Sequence, residues 1–326
     1  MPVTVRSFAK INLGLRIGPR RPDGFHQLLT LYQTIGLHDR ISVGVGRGTG
    51  IEIRCSNPNV PTDQSNTCFR IVRLALDALK IKTRVVIDIE KRLPVQGGLG
   101  GASANAVATL LALERALKKS LPAAERLRIA AEVGSDLPLF LTGGAVLGLG
   151  RGEQVYPLPD FPATACVIIT PQVGVSTPKA FAAWDRQSDQ KPDRKSARKL
   201  TLPASSDRMV ELGRELSSQL SESYSGAPFR RGRRENPLFE LVRTGIQNDF
   251  EQVVFPEYPE LSEVKHALER AGAKYASLSG SGSTVYGLFA SKAAARLATA
   301  KLRKQGWAAE ATSTLTRRQY WSRIWV

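Results

Sequence analysis

A glycine-rich run close to residue 100 has the composition of an anion-binding site. It consists of Pro94, Val95, Gln96, Gly97, Gly98, Leu99, Gly100, Gly101, Ala102, Ser103 and Ala104. Glycine allows positive φ angles and close backbone approach, and a helix that begins directly after the run would add free N–H groups and a positive dipole end. The run therefore predicts a polyphosphate site, with a structural turn as the alternative. Neither the Walker A pattern nor the Rossmann fingerprint fits it.

Two charged residues, Lys10 and Asp136, are the candidates for catalysis. Asp136 stands on a predicted bend in Gly134–Pro138, which would display its carboxylate as a general base; a turn or N-cap role is the alternative. Lys10 interrupts the apolar run Phe8–Leu15, where an ammonium group is costly unless an acid or a phosphate pairs with it. Unless it lies on an exposed strand edge, Lys10 needs an anionic partner.

A second loop of small residues lies near the end of the chain. Ser279, Gly280, Ser281 and Gly282 come shortly before the strand-like run Thr284–Phe289. Glycine next to serine allows the backbone to approach a ligand closely. The loop predicts a second contact with phosphates or substrate, with a plain linker as the alternative.

The segments around these candidates alternate between strand and helix patterns. Apolar runs and turn residues before residue 50 predict strands joined by tight loops, whereas Thr67–Leu79 and Asn105–Lys118 carry apolar residues near the helical period. Val85–Ile89 is β-branched, so a strand, the glycine run and a helix follow one another directly. The pattern alone indicates only a mixture of strands and helices.

The length of 326 residues fits two domains of roughly 150 residues each. Pro157 and Pro159 interrupt regular structure, and a new apolar strand follows them. We therefore expect domains at 1–157 and 158–326. Residues 185–235 are polar, charged and serine-rich, which predicts an insertion in the second domain.

The composition is that of a globular protein. Hydrophobic residues make up 42% and charged residues 23% of the chain, which excludes disorder of the whole chain. No apolar segment is long enough for a secretion signal or a membrane span. Cys55, Cys68 and Cys166 are widely separated, which indicates reduced thiols rather than disulfides or a zinc site. We expect a cytoplasmic protein without a membrane partner.

The formal charge of +17 raises nucleic-acid binding as an alternative from a different functional class. The basic residues are spread along the chain, and the sequence contains no zinc-finger spacing, aromatic RNP-type strand or basic region followed by heptads. A basic surface that also favours anionic substrates accounts for the same charge. We therefore do not expect a nucleic-acid partner.

Four segments in this order resemble motifs of the galactokinase, homoserine kinase, mevalonate kinase and phosphomevalonate kinase (GHMP) superfamily. They are Ala9–Leu13, Pro94–Ala106, Gly134–Pro138 and Leu278–Gly282. Further segments resemble one family within it, the 4-diphosphocytidyl-2-C-methyl-D-erythritol kinases. These segments are Arg21–His26, Val60–Asp63 with Asn66, Thr177–Pro178 and Asn248–Glu251. Another superfamily member, such as a homoserine, mevalonate or sugar kinase, is the alternative, and Phe25 with His26 disfavours it.

The resemblance implies a two-domain α+β fold. The N-terminal domain would be like domain 2 of ribosomal protein S5 and would bind ATP, and the C-terminal domain would be ferredoxin-like. The active site would lie in the cleft between them.

The implied reaction is transfer of the γ-phosphate of ATP, with Mg²⁺, to the 2-hydroxyl of 4-diphosphocytidyl-2-C-methyl-D-erythritol, hereafter the cytidylyl substrate. This reaction belongs to non-mevalonate isoprenoid biosynthesis. Asp136 would take the hydroxyl proton and Lys10 would stabilise charge at the phosphoryl group. The glycine run would hold the phosphates, with Ser103 as the candidate hydroxyl beside Mg²⁺.

The resemblance also implies how the substrate is bound. The cytosine would stack between Phe25 and Phe181, with His26 at its polar edge, while Asn12 and Thr177 would contact the substrate. Aromatic stacking on a base contributes about 1–3 kcal/mol in nucleic-acid complexes.

Three residues depart from the family pattern. Phe25 stands where tyrosine is expected, Gln96 replaces a glycine and Ala104 replaces a serine. Phe25 keeps the stacking ring but lacks the hydroxyl. Gln96 and Ala104 are the positions at which we expect ATP binding to differ from that of relatives.

Overall fold

A computed structural model of the protein describes residues 1–189, 236–243 and 246–326 and the single residues Arg214 and Ser217. Most of the polar insertion predicted at 185–235 lies outside the described residues. Its first residues, however, belong to a helix that ends at Asp189. That helix extends this far because Ala180 and Trp184 are spaced four residues apart and are both buried against the second domain.

The described elements alternate as follows. The strands are β1 (Val3–Arg20), β2 (His26–Gly46), β3 (Gly50–Cys55), β4 (Arg84–Glu90), β5 (Ala145–Leu149), β6 (Gln154–Pro157), β7 (Ala165–Ile169), β8 (Tyr275–Leu278), β9 (Val285–Phe289) and β10 (Ala309–Ser313). The helices are α1 (Thr67–Leu79), α2 (Gly101–Leu117), α3 (Ala123–Val133), α4 (Leu137–Thr142), α5 (Thr177–Asp189), α6 (Pro237–Arg243), α7 (Glu251–Glu257), α8 (Pro259–Arg270), α9 (Lys292–Lys304) and α10 (Arg317–Arg323).

The first sheet is built on the long antiparallel pair β1–β2. Its order is β3-β4-β2-β5-β6, and β1 pairs with β2 along most of its length. The pairing register shifts between Phe8 and Lys10 and again between Asn12 and Gly14. Such bulges redirect neighbouring side chains. They flank Lys10 and Asn12, two of the predicted site residues.

Helix α2 packs against β1 and β2 and starts earlier than the sequence pattern predicts. Its first residue is Gly101 rather than Asn105, and its N-cap residue Gly100 has the left-handed conformation (φ 69°) that favours glycine. Ala106, Leu110 and Leu113 are fully buried in the first core. The glycine run therefore ends inside the first turn of a helix anchored on the sheet that carries Lys10.

The second sheet is antiparallel, with the order β10-β7-β9-β8. Helices α8 and α9 cover it, and Val264, Leu268 and Leu302 are fully buried in its core. The fold is thus α+β with two sheets, as expected, and the predicted boundary near residue 157 falls between β6 and β7.

Strand β1 connects the two halves. Ile11 and Leu13 are fully buried in a third apolar cluster that also contains Leu238 and Tyr286 from the C-terminal half. The Tyr286 hydroxyl donates a hydrogen bond of 2.9 Å to the backbone oxygen of Asn12. Strand β1 pairs with β2 in the first sheet and also packs against residues of the C-terminal half. Its residues therefore lie at the junction of the two sheets.

The C-terminal residues return to the first sheet. The backbone N–H of Arg6 donates to the oxygen of Ile324 at 2.7 Å, and that of Leu315 donates to Thr34 at 2.8 Å. Within the described part of the chain, no helix is both long and apolar enough to cross a membrane.

Candidate active site

Lys10 and Asp136, 126 positions apart in the sequence, form an ion pair in the cleft. The Nζ of Lys10 lies 3.4 Å from Oδ2 of Asp136; the lysine side chain is 4% exposed and the aspartate side chain 32%. Asp136 is the N-cap residue of α4, but its carboxylate makes no capping bond, so it remains directed at the cleft. The partly open carboxylate can meet a substrate while Lys10 stays fixed beneath it.

A chain of hydrogen bonds fixes Lys10 from the other side. Its Nζ donates to Oδ1 of Asn12 at 2.6 Å, and the Asn12 amide donates to the Thr30 hydroxyl at 2.7 Å. Thr30 in turn donates to the backbone oxygen of Gly14 at 3.0 Å. All three side chains are buried. These bonds hold Lys10 in one orientation. Its ammonium group contacts both the amide oxygen of Asn12 and the carboxylate of Asp136.

Tyr32 holds the second oxygen of Asp136. Its hydroxyl donates to Oδ1 at 3.0 Å. Burial and then the negative charge of Asp136 raise the pKa of Tyr32 well above its ordinary value. The protonated form of Tyr32 is therefore favoured, which keeps its hydroxyl a donor to the carboxylate.

The glycine run lies directly against Lys10 and the second glycine loop. A Cβ on Gly100 would lie 3.0 Å from Cγ of Lys10, and one on Gly98 would lie 2.2 Å from the backbone oxygen of Ser279. Larger residues would push the loops apart at both positions. The first backbone bond of α2 runs from the N–H of Ala104 to the oxygen of Gly100, so the N–H groups before it have no partner within the helix.

The second glycine loop is held in place by two contacts. The Ser279 hydroxyl donates to the oxygen of Gly98 at 3.0 Å. The Asn248 amide donates to the oxygens of Leu278 and Gly280 at 2.9 and 2.6 Å. The two glycine loops therefore meet in the cleft, with Gly280 next to Asn12 and Lys10.

One cavity, of about 640 Å³, extends from the Lys10–Asp136 pair to the predicted substrate residues. At its far end the rings of His26 and Phe181 stack, with centroids 5.3 Å apart and planes at 9°. The Thr177 hydroxyl lies 2.7 Å from that of Ser281, so the start of α5 contacts the second glycine loop. The cavity thus has a charged end and an aromatic end.

Phe25 lies apart from the His26–Phe181 stack. Its side chain is 52% exposed, and the guanidinium of Arg151 lies over its ring at 4.9 Å. Phe25 and Phe181 line the same cavity but do not contact each other.

His26 lines this cavity and has both ring nitrogens close to oxygens. Its Nδ1 lies 3.1 Å from the oxygen of Gly18 and must be the donor, since a carbonyl only accepts. Nε2 lies 2.9 Å from Oδ1 of Asp185, and among the described residues it has no partner with the alignment of a hydrogen bond. The carboxylate of Asp185 is therefore the group that faces Nε2.

A second cavity, of about 380 Å³, opens on the other side of the glycine run. It is lined by the run itself, by residues around the start of α1, and by Lys91 and Asn105. Asn105 is buried and donates to Asp39 at 3.0 Å, while its own Oδ1 has no hydrogen-bond partner among the residues that the structure describes. The glycine run therefore separates two cavities, one on each side of the prospective phosphates.

Comparison with known proteins identifies the family. Residues 66–144 match the model of the GHMP kinases N terminal domain, and 232–307 match that of the GHMP kinases C terminal domain. The 4-diphosphocytidyl-2-C-methyl-D-erythritol kinase of Solibacter usitatus is 38% identical over 287 residues, which are 87% of this chain and 80% of the relative. That of Acaryochloris marina is 35% identical over 313 residues, which are 92% of this chain and 91% of the relative.

The chain belongs to the 4-diphosphocytidyl-2-C-methyl-D-erythritol kinase family. A crystal structure of 4-(cytidine 5'-diphospho)-2C-methyl-D-erythritol kinase is 30% identical, with a TM-score of 0.71, and the match covers 95% of this chain and 98% of that one. A homoserine kinase from Cytophaga hutchinsonii has a TM-score of 0.67 at 19% identity, covers 97% and 95% of the two chains, and shares the fold. The predicted family and the two-domain GHMP architecture are confirmed.

In the structure of this family member most of the predicted site residues line the two cavities, whereas Ala104, which is buried in the first core, Ser279 and Gly282 line neither. The candidate catalytic pair is joined directly, and both glycine loops contact each other. The roles of the individual residues remain predictions.

The sequence analysis gave no role to four residues that support the site, Tyr32, Asp185, Arg151 and Asn248, although Asn248 lies in a segment that carries the family resemblance. Tyr32 carries no local signal, because an aromatic residue in a strand is ordinary core composition. Asn248 and Asp185 act through contacts with distant segments. Arg151 had a signal: it lies between Gly150 and Gly152, and a basic residue between two glycines at a turn often faces a ligand.

Proposed function

We propose that the chain transfers the γ-phosphate of ATP to the 2-hydroxyl of 4-diphosphocytidyl-2-C-methyl-D-erythritol. One observation carries this proposal. A single cavity has the Lys10–Asp136 pair beside two glycine loops at one end and the His26–Phe181 stack at the other. A phosphate-holding end and a base-holding end in one cavity fit a substrate that carries both a reacting hydroxyl and a cytosine.

The charged end supplies the catalysis. Asp136 accepts the proton of the 2-hydroxyl through the oxygen that Tyr32 leaves free. Lys10, buried and fixed by Asn12, places a positive charge where negative charge is concentrated during phosphoryl transfer. Positioning and charge stabilisation are the main contributions that proteins make to this chemistry.

The glycine run fits the polyphosphate of ATP, the phosphoryl donor. A Cβ on Gly98 or Gly100 would collide with neighbouring atoms, so the backbone there can approach a ligand closely. The free N–H groups at the start of α2 and its dipole favour anions. The nucleoside would enter the 380 Å³ cavity beyond the run, which Lys91 and Asn105 help to line while both side chains donate to Asp39.

Mg²⁺ would be held mainly by phosphate oxygens. Among the residues that the structure describes, no cluster of His, Cys, Asp and Glu side chains could hold a metal ion alone. Ser103, in the first turn of α2, is the candidate protein ligand because its hydroxyl lines the nucleotide cavity. The ion would neutralise charge on the transferred phosphoryl group.

The aromatic end selects the cytidylyl group. The cytosine would lie between Phe25 and Phe181, with His26 at its polar edge. Thr177 and Asn12 would contact the remainder of the substrate. We expect the enzyme in the cytoplasm, where its three free cysteines would stay reduced.

An assay with alternative acceptors tests the proposal. Purified protein, ATP and Mg²⁺ are incubated with the cytidylyl substrate, homoserine, mevalonate or galactose, and ADP release is followed. We expect turnover with the cytidylyl substrate and only background release with the others. Turnover of homoserine, mevalonate or galactose alone would instead assign the chain to another GHMP activity.

A further inference from the structure

The turn between β5 and β6 carries an arginine into the cavity assigned to the substrate. Gly150 and Gly152 flank Arg151 and have φ angles of +72° and +104°. A Cβ on Gly150 would lie 2.9 Å from the carboxylate of Glu153, and one on Gly152 would lie 2.4 Å from the hydroxyl oxygen of Tyr32. Both positions require glycine, so the turn fixes where the Arg151 side chain begins.

Hydrogen bonds from backbone N–H groups help to hold this turn. The N–H of Arg151 donates to Oε2 of Glu153 at 2.5 Å. The N–H of Leu28 donates to the oxygen of Gly150 at 2.7 Å, which ties the turn to the start of β2. Phe25 and His26 lie immediately before that point in the chain.

The guanidinium of Arg151 has donors to spare. It lies 4.9 Å from the ring centroid of Phe25, and its Nε is 3.8 Å from Oε1 of Glu153, too far for a hydrogen bond. Within the described part of the chain it donates no hydrogen bond. A cation–π contact orients the planar group without using its N–H donors.

Arg151 lies between the two ends of the cavity. The turn reaches the catalytic end, since a Cβ on Gly152 would be 3.9 Å from Oδ1 of Asp136. The guanidinium reaches the aromatic end through Phe25. In a substrate whose diphosphate joins cytidine to the polyol, the diphosphate must cross this part of the cavity.

We propose that Arg151 binds the diphosphate of the cytidylyl substrate, with Phe25 as the platform that orients its guanidinium. The inference rests on the proposed function and assigns a residue to the one part of the substrate that the sequence motifs leave unassigned. Arginine suits this task because its fork of donors matches two phosphate oxygens at once. Lys10, a buried cation that lines the same cavity, is already paired with Asp136.

Calorimetric titration with cytidine, CMP and CDP tests the assignment. The full chain is compared with Arg151→Met and Arg151→Lys, and with Arg128→Met, a change of equal charge at an exposed residue that lines neither of the two site cavities. Charge-assisted hydrogen bonds predict that Arg151→Met lowers CDP affinity about 10- to 100-fold. Cytidine affinity should stay within about twofold. The CDP affinity of Arg151→Lys should lie between that of the wild type and that of Arg151→Met. The CDP affinity of Arg128→Met should equal that of the wild type.

Steady-state kinetics give a second readout. We expect Arg151→Met to raise KM for the cytidylyl substrate by about tenfold or more, with KM for ATP unchanged and kcat altered by less than about threefold. The affinity of the wild type for CDP should also fall more steeply with salt than that of Arg151→Met.

The possible results separate this inference from the function on which it rests. Equal losses of cytidine and CDP affinity in Arg151→Met would show a structural role and overturn the inference. Unchanged CDP affinity in that variant would also overturn it, while leaving the proposed function intact. Failure of the wild type to bind either ligand would overturn the cytidylyl assignment and this inference together.

Discussion

The hydroxyl of Tyr32 donates a hydrogen bond of 3.0 Å to Oδ1 of Asp136. The same carboxylate faces Nζ of Lys10 through its other oxygen at 3.4 Å. One oxygen is therefore held by a neutral donor and the other lies beside a fixed positive charge. This division orients the carboxylate so that a substrate hydroxyl meets one defined oxygen.

Replacement of Asp136 by asparagine removes the proposed base but keeps the shape of the side chain. We expect Asp136→Asn to lower kcat by about 10² or more, as removal of a general base does, and to leave ATP binding nearly intact. Steady-state turnover and calorimetric ATP binding measure the two effects. Asp77→Asn on the exposed face of α1 is a control and should behave like the wild type. Wild-type turnover in Asp136→Asn would require a different base.

Buried tyrosines should make the fold sensitive to alkali. Burial, followed by the charge of Asp136, raises the pKa of Tyr32, and burial also raises those of Tyr286 and Tyr320. A group whose pKa is raised on folding contributes its stability in full below its unfolded value near 10, and loses it as the pH rises toward the folded value. The free energy of unfolding should therefore fall above about pH 10.

Urea titrations between pH 7 and 11 measure this effect. Tyr32→Phe should be less stable than the wild type at pH 7, because it loses the hydrogen bond to Asp136. Above about pH 10 its stability should fall less steeply, by up to about 1.4 kcal/mol per pH unit, because one titrating group is gone. If the free energy of unfolding fell with the same slope in both proteins above about pH 10, folding would not raise the pKa of Tyr32.

The elements could be predicted from the sequence because their signals are local. The apolar period of α1 and α2 and the small residues of both glycine loops are visible in single segments, and the motif order gave the two-domain fold. The start of α2 was placed too late, at Asn105, because glycine and alanine carry little periodic signal, although Gly101 already belongs to the helix.

The contacts across the site could not be read from single segments. Lys10 meets Asp136 because the bulged part of β1 lies close to the start of α4 in the folded chain. The separation of the two residues along the sequence does not encode the distance between their side chains. The stack of His26 on Phe181 likewise joins β2 to α5. Chemistry-bearing residues were therefore identifiable, whereas their supporting partners emerge only from tertiary packing.

Gln96 is held in a left-handed conformation, with φ +60°, at the mouth of the nucleotide cavity. For a residue with a Cβ this costs about 1–2 kcal/mol, whereas glycine is not penalised. We expect Gln96→Gly to stabilise the fold by up to about 1 kcal/mol after the greater entropy of the unfolded chain is included. Thermal unfolding measures the change.

Two further variants separate strain from side-chain contacts at this position. Gln96→Ala keeps the strain and should not stabilise the protein. Lys118 at the end of α2 has a comparable left-handed conformation (φ 53°) and lies away from the cavity. Lys118→Gly relieves the backbone strain there and should stabilise the fold without any change in ATP binding. If Gln96→Gly weakens ATP binding while Lys118→Gly does not, the Gln96 side chain contacts the nucleotide.

Asp185 should act as a positioning residue for cytosine recognition. Its Oδ1 lies 2.9 Å from Nε2 of His26, and the side chain of Asp185 is 29% exposed in the substrate cavity. Asp185→Asn removes the negative charge that faces the histidine ring without removing the His26–Phe181 stack. We expect KM for the cytidylyl substrate to rise by about three- to tenfold, with kcat and KM for ATP nearly unchanged.

A comparison with His26→Ala distinguishes positioning from simple destabilisation. If Asp185 acts through His26, the double variant should bind cytidine no more weakly than His26→Ala alone, because the two effects share one cause. Additive losses would show that Asp185 contacts the base independently. Equal thermal stability of Asp185→Asn and the wild type would exclude unfolding as the reason for the raised KM, and we expect equal stability because the carboxylate is partly open to solvent.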